Sequence, residues 1–520
     1  MDLDIKIAGG LVLDGTGAPP ARLDVGIGGD RIEEVGDLSS RPARLTVDAR
    51  GRYVCPGFID VHSHSDAFLL IEPSAPSKIT QGITTEVVGN CGASAAPLTG
   101  AYRMPSDWRD KPYPGSWSSV AEYRTLLDQV RPAPNVVLLI GHNALRGSAV
   151  GYDDRMATPD ELREMSRLLE KSLDEGGRGL STGLIYPPGE FAPREELIEL
   201  ARIAGRRDGI YTSHMRNESE RVVEAIEEAL TIGREAGIRV EISHLKTSGR
   251  ANWRRIDDVL ETMRKARAEG VDVAADRYPY TCSSTDLDVV LPRWAKEGGS
   301  EAITRRLGSP AERTRVREDV RRSRPEDSWG KVVVASTRHP DNARFQGLPL
   351  TEVAAKLGME PVDAVLHLIE TDEAGTAAFF SGMSEENMFR ILAEPYVMLG
   401  TDASLRAPEG LLSQDFPHPR AYGSFPRFLR MSLDGRTVAP GEAVRKMTSL
   451  PAGHFRLKDR GLLARGMMAD VVVFDPARLT DKASYAAPHQ LSEGVEHVLV
   501  NGVLTLSGGR FTGHRAGRLL

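Results

Sequence analysis

The sequence predicts an α/β protein built on a (β/α)8 TIM-like barrel, joined to a small β-sandwich domain formed from both termini. Three observations lead there. Eight short apolar segments alternate with amphipathic helical stretches through the middle of the chain, as parallel βα units do. Both ends are instead rich in short strands punctuated by turns. A long charged stretch separates the seventh apolar segment from the eighth and reads as an inserted subdomain between those strands.

At 520 residues the chain exceeds what one hydrophobic core usually serves, so more than one unit is expected. Residues 1–57 and 456–520 are assigned to the β-sandwich. Residues 58–455 are assigned to the barrel, with the insertion at about 283–394. In the first segment Ile5 to Val12 alternates in polarity, and Gly29-Asp30 has hairpin chemistry before Ile32 and Val35. Near the other end Asp470 to Phe474 reads as a buried strand, and Asn501-Gly502 as a hairpin turn.

The eight barrel strands are expected at Phe58–His64, Thr84–Cys91, Val136–His142, Gly179–Leu184, Ile210–His214, Val240–His244, Val271–Tyr278 and Tyr396–Asp402. Helices are clearest at Pro159–Glu175, Arg194–Arg207, Glu218–Ala236 and Trp253–Glu269. In the first of these Leu162, Met165, Leu169 and Leu173 recur at helical spacing on one face. Within the insertion, Ala311–Arg324 is charged helical sequence.

Composition narrows the function. A net charge of -7 and a pI near 6.0 supply no basic footprint, so neither nucleic acid nor a membrane surface is an expected partner. Three cysteines, Cys55, Cys91 and Cys282, are too few for a disulfide framework and point to a reducing compartment. The opening MDLDIKIAGG lacks the basic and apolar regions of a signal peptide, and no run approaches the ~20 apolar residues of a membrane span. The expectation is a cytoplasmic protein acting on a small molecule.

The chemistry concentrates at strand ends. His62 and His64 are two apart at the end of the first strand, so both imidazoles can face the barrel mouth. Cys91 ends the second strand, His214 the fifth, His244 the sixth and Asp402 the eighth. Barrel enzymes keep their active sites at these C-terminal strand ends. Imidazole and thiolate are zinc donors, and a nearby carboxylate ligates or acts as base. Taken singly, each residue has a structural reading: a hydrogen-bonded histidine, a small buried hydrophobe, a helix cap. Six such residues at one end of one barrel do not. His142 ends the expected third strand and is a candidate to line the pocket. His418, after the eighth strand in Pro-His-Pro-Arg, is a candidate either to border the site or to serve the loop's structure.

These motifs resemble the D-aminoacylase (N-acyl-D-amino-acid deacylase) branch of the amidohydrolase superfamily, nearly end to end. The resemblance runs through Pro56-Gly57-Phe58-Ile59-Asp60-Val61-His62-Ser63-His64, Gly89-Asn90-Cys91-Gly92, Ser213-His214-Met215-Arg216 and Ser243-His244-Leu245-Lys246. It continues in Tyr278-Pro279-Tyr280, His418-Pro419-Arg420 and Ala469-Asp470-Val471. It implies one tightly held zinc on Cys91, His214 and His244, with His62, His64 and Asp402 forming a weaker or vacant second position. Many relatives outside this branch bridge two metals with a carboxylated lysine. Here no lysine occurs between Lys111 and Lys171, and Lys171 falls on a predicted helix.

The implied reaction is hydrolysis of an N-acyl-D-amino acid, with Asp402 as general base and acid. By the same resemblance Lys246 and Tyr278 bind the substrate α-carboxylate. Arg293, in Leu-Pro-Arg-Trp, is a candidate partner for an acidic side chain, or else a surface arginine of the insertion. Arg277, Ser65 and Ala403 depart from the pattern of the branch near the mouth, so substrate identity is the open part of the reading. The alternatives are a D-terminal dipeptide hydrolase, a cyclic amide hydrolase of the hydantoinase type, and a non-enzymatic scaffold.

Overall fold

A computed structural model describes residues 2–520. Its central feature is a run of parallel strands, each followed by a helix. The first strand, Phe58–Asp60, pairs with the second, Ile83–Val88, and that with the third, Asn135–Leu138. After one residue, Ile140–Gly141 carries the third strand on to the fourth, Gly179–Gly183. The ladder then continues through Ile210–His214, Arg239–Ile242, Val273–Arg277 and finally the eighth strand, Val397–Leu399. A parallel bridge between Ser63 and Ala403 links the segments that follow the first and last strands. These strands are buried along their whole length, as expected of parallel strands covered on both faces.

The surrounding helices follow from their apolar stripes. Helix Pro159–Asp174 buries Met165, Leu168, Leu169 and Leu173. It starts where it does because Thr158 accepts from the Glu161 amide, Glu161 reaches back to the Thr158 amide, and Pro159 occupies the first turn. Helix Val222–Ala236 begins four residues later than its apolar pattern suggests. The Asn217 side chain accepts from the amides of Ser219 and Arg221, and this turn keeps Glu218 out of the helix.

Strands from both ends share one nine-stranded sheet, in which Tyr53–Pro56 lies between Val471–Phe474 and Leu3–Val12. Its apolar face includes Ile5, Ile7, Val25, Ile27, Val471 and Val473. The expected hairpin is present: Val495–Val500 turns into Val503–Ser507 through Asn501 and Gly502, both with positive φ.

Between the seventh and eighth strands lies a three-stranded antiparallel sheet of Cys282–Asp286, Ala377–Ser381 and Val332–Val334. Helices Gly299–Gly308, Pro310–Ser323 and Pro361–Thr371 pack beside it, around an apolar cluster of its own that includes Leu287, Ile303, Val316, Trp329 and Leu366. Burial of each large aliphatic side chain there contributes about 1.5–3 kcal/mol.

Candidate metal centre

All six strand-end residues converge at one end of the parallel strands. Ligand atoms of His62, His64, Cys91 and Asp402 lie within 4.8 Å of one another, as do those of Cys91, His214 and His244. Cys91 belongs to both groups. Its Sγ is 3.2 Å from His62 Nε2 and 3.7 Å from both His214 Nδ1 and His244 Nε2. Asp402 Oδ1 is 3.2 Å from His64 Nε2 and 3.4 Å from His62 Nε2.

Several strands are shorter than the sequence pattern indicates, and three of the donors lie beyond their ends in left-handed turns. The first strand ends at Asp60, the second at Val88, the sixth at Ile242 and the eighth at Leu399. Cys91, His244 and Asp402 have φ of 53°, 38° and 48°, left-handed values that no strand continues through. Such conformations cost of order 1–3 kcal/mol each for residues with side chains and are held only where the surroundings impose them. Around Cys91 the close approach requires glycine: a Cβ on Gly89 would stand 2.1 Å from the Leu139 carbonyl oxygen.

Neighbouring groups aim the donors. Asp276, at the end of the seventh strand, is 2.9 Å from His62 Nδ1, which leaves Nε2 to face Cys91. Glu218 is 2.8 Å from His244 Nδ1, so His244 presents Nε2. That nitrogen is 2.9 Å from His214 Nδ1, and two imidazole nitrogens so placed share either a proton or a cation. Burial works against ionisation of Cys91, yet the His62 charge and hydrogen bonds from three imidazoles hold its thiol well below the usual range. Asp402 is likewise buried, and Arg420 and His62 hold its carboxyl well below the ordinary value. A thiolate, imidazoles and a carboxylate, buried and convergent, are the donor set of a zinc-like cation.

Lys246 lies 2.7 Å from His244 Nδ1 and pairs with Glu218. Tyr278 is fully buried, with its hydroxyl unpartnered. Arg293 stands apart: its guanidinium bonds Asp154 at 2.5 and 2.8 Å, and it lines a cavity of about 420 Å³ together with Glu218, Glu190 and Lys296. His142 opens the helix His142–Ala149 and bonds Glu196 at 2.8 Å, joining neither ligand group. His418 borders the site: Nδ1 accepts from the Arg420 amide, and Nε2 is 3.0 Å from the Cys282 carbonyl oxygen. Arg420 Nη1 is 2.7 Å from Asp402 Oδ2.

Sequence reasoning assigned no role to Arg420, Asp276 or Glu218. The visible signal for Asp276 was a carboxylate closing an otherwise apolar strand run; for Arg420 it was only the quoted motif.

Parallel strands carrying a buried cysteine–histidine–carboxylate cluster at one end define a class, and the chain belongs to the Amidohydrolase family, which it matches over residues 45–506. Within that class it is similar to the N-acyl-D-glutamate deacylase of Alcaligenes xylosoxydans xylosoxydans, with 39% identity over all of this chain and 96% of that protein. It is also similar to the crystal structure of N-acyl-D-glutamate deacylase from Bordetella bronchiseptica, complexed with zinc and a phosphonate mimic of the tetrahedral intermediate. There the TM-score is 0.85 and the identity 36%, with both chains covered completely. A structure of D-aminoacylase, described as having a binuclear metal center, matches at TM-score 0.85 and 36% identity, covering 100% of this chain and 99% of that one. D-hydantoinase, at 16% identity and TM-score 0.56, shares the mixed α/β fold alone.

Proposed function

We propose that this protein is a zinc-dependent hydrolase of linear amides that converts N-acyl-D-amino acids into a carboxylate and a D-amino acid. The observation that carries the reading is Cys91, placed where the two ligand groups meet, with Asp402 and Arg420 beside it. Similarity to deacylases over the whole chain supports the same reaction.

Cys91, His214 and His244 would hold the principal zinc, and His62, His64 and Asp402 the weaker second position. Bound there, zinc would supply a water of pKa near ~7 and a Lewis acid for the acyl carbonyl. Asp402 takes the proton of the attacking water and delivers it to the departing amine nitrogen as the C–N bond breaks. Glu218 and Asp276 keep the imidazoles of His244 and His62 in orientation. Lys246 and Tyr278 receive the substrate α-carboxylate. Arg293, on the cavity that reaches Glu218, answers an acidic side chain only if its Asp154 pairing opens.

The architecture we propose has the eight parallel strands closed into a (β/α)8 barrel over 58–455. The Ser63–Ala403 bridge supports this closure. Residues 1–57 and 456–520 form the β-sandwich domain, and about 283–394 the insertion. Free Cys55, Cys91 and Cys282 favour the cytoplasm as its compartment; among the described residues no helix is long and apolar enough to cross a membrane.

Asp402→Asn tests the mechanism. With Cys91, His214 and His244 intact, the variant is expected to keep its principal zinc and lose at least about 100-fold in kcat on N-acetyl-D-amino acids. A variant retaining near-normal kcat would remove Asp402 from the proton transfer.

A further inference from the structure

Six arginines are buried among the described residues. Five of them, Arg146, Arg239, Arg406, Arg420 and Arg460, face a carboxylate. Arg277 does not. Its Nη2 donates to the Tyr280 carbonyl at 2.7 Å and to Met383 Sδ at 3.1 Å, while Nε and Nη1 have no acceptor. A buried cation without an anion is costly, and other buried guanidiniums in this molecule avoid that cost by pairing.

Its position indicates what is missing. The Arg277 guanidinium lies 4.3 Å from the centre of the Tyr278 ring, and that of Arg420 lies 4.6 Å from the same ring. Arg420 in turn touches Asp402. Besides the Arg277 donors, the Tyr278 hydroxyl and Arg420 Nε are buried without a hydrogen-bond partner. Asp402 already balances one of the two guanidinium charges, so the cluster carries one surplus positive charge and a set of idle donors. A carboxylate has one negative charge and about four acceptor sites.

We infer that Arg277 completes a carboxylate-binding subsite with Tyr278 and Arg420, and that its ligand is a carboxylate of the substrate. The inference rests on the N-acyl-D-amino acid reading and adds to it a specificity-determining residue. Two sources offer this chemistry, the α-carboxylate and the side-chain carboxylate of an acidic substrate.

The test is steady-state kinetics of zinc-loaded wild type, Arg277→Met and Arg277→Lys on N-acetyl-D-leucine and N-acetyl-D-glutamate, with N-acetyl-D-leucinamide as an uncharged inhibitor. Loss of a charge-assisted bidentate contact is expected to raise KM about 10- to 100-fold in the methionine variant, with kcat within a few-fold. The lysine variant, which keeps charge but not the fork, falls between and carries the test if the methionine variant does not fold. A KM rise on both substrates identifies the α-carboxylate; a rise on N-acetyl-D-glutamate alone identifies the side chain. In either case inhibition by the carboxamide is unchanged. Unchanged KM on both substrates, or carboxamide inhibition weakened as much as carboxylate binding, would overturn the subsite. Wild-type protein that hydrolyses neither substrate would instead overturn the deacylase reading beneath it.

Discussion

Lys78 sits beneath the metal centre with its side chain fully buried. Its ammonium is 2.9 Å from Asp60 Oδ2 and 3.2 Å from Glu86 Oε2, and it also donates to Thr401 Oγ1 and to the Ala403 carbonyl. Thr401 and Ala403 flank Asp402, whose left-handed backbone is therefore held from both sides. Asp60 adds to this by accepting from the Thr401 amide at 2.8 Å. Lys78→Met removes the cation and leaves two buried carboxylates facing each other. Breaking a buried ion pair from one side costs about 3–5 kcal/mol, so chemical denaturation should show a loss of that order. A loss below about 1 kcal/mol would mean that Asp60 and Glu86 are balanced in some other way.

At the scale of elements, helix Pro159–Asp174 shows how a local signal becomes stability. Side-chain hydrogen bonds from Arg155, then the Thr158 amide, hold the Glu161 carboxyl at about 2, below its ordinary value. A depressed carboxyl contributes stability that is complete above its ordinary titration range and is lost as pH falls through about 2. Glu161→Gln is therefore expected to melt lower than wild type at pH 7, with a constant gap down to about pH 5.5 that narrows through pH 4.5 towards pH 2. A gap that widens on acidification would contradict the assignment. The capping box was readable because Thr-Pro-Asp-Glu places every participant within four residues. The strand ends were not. The expected strands run on into Cys91, His244 and Asp402, but the observed ones end two or three residues earlier, and these donors lie in turns with positive φ. Periodicity reports which side chains are apolar, not where a buried ion pair or a neighbouring carbonyl imposes a left-handed turn. Five of the six donors could be named because histidine and cysteine are rare here and recur at the expected strand ends, and Asp402 because it closes the expected eighth strand. Asp276, Glu218 and Lys78 act through other residues, and their common side-chain types gave no comparable signal.

For the whole molecule, the parallel strands bring residues from position 62 to position 402 to one end, where two ligand groups share Cys91. Lys171, the only lysine near the fourth strand in sequence, lies on an outer helix with 55% of its side chain exposed and takes no part. Cys91 occupies the space between His62, His214 and His244 instead. The insertion between the seventh and eighth strands has its own apolar cluster and supplies Arg293 and Lys296 to the cavity that reaches Glu218. The central claim joins this metal centre to one stereochemical class of amide. It is tested most directly by amine release from matched N-acetyl-D- and N-acetyl-L-amino acids, glutamate and leucine among them, with protein carrying at least one equivalent of zinc. The account predicts release from D-substrates at a rate at least about tenfold above their L-counterparts, the margin that a 1.4 kcal/mol difference in transition-state binding provides. Equal release from both enantiomers, or none from either with zinc fully bound, would contradict it.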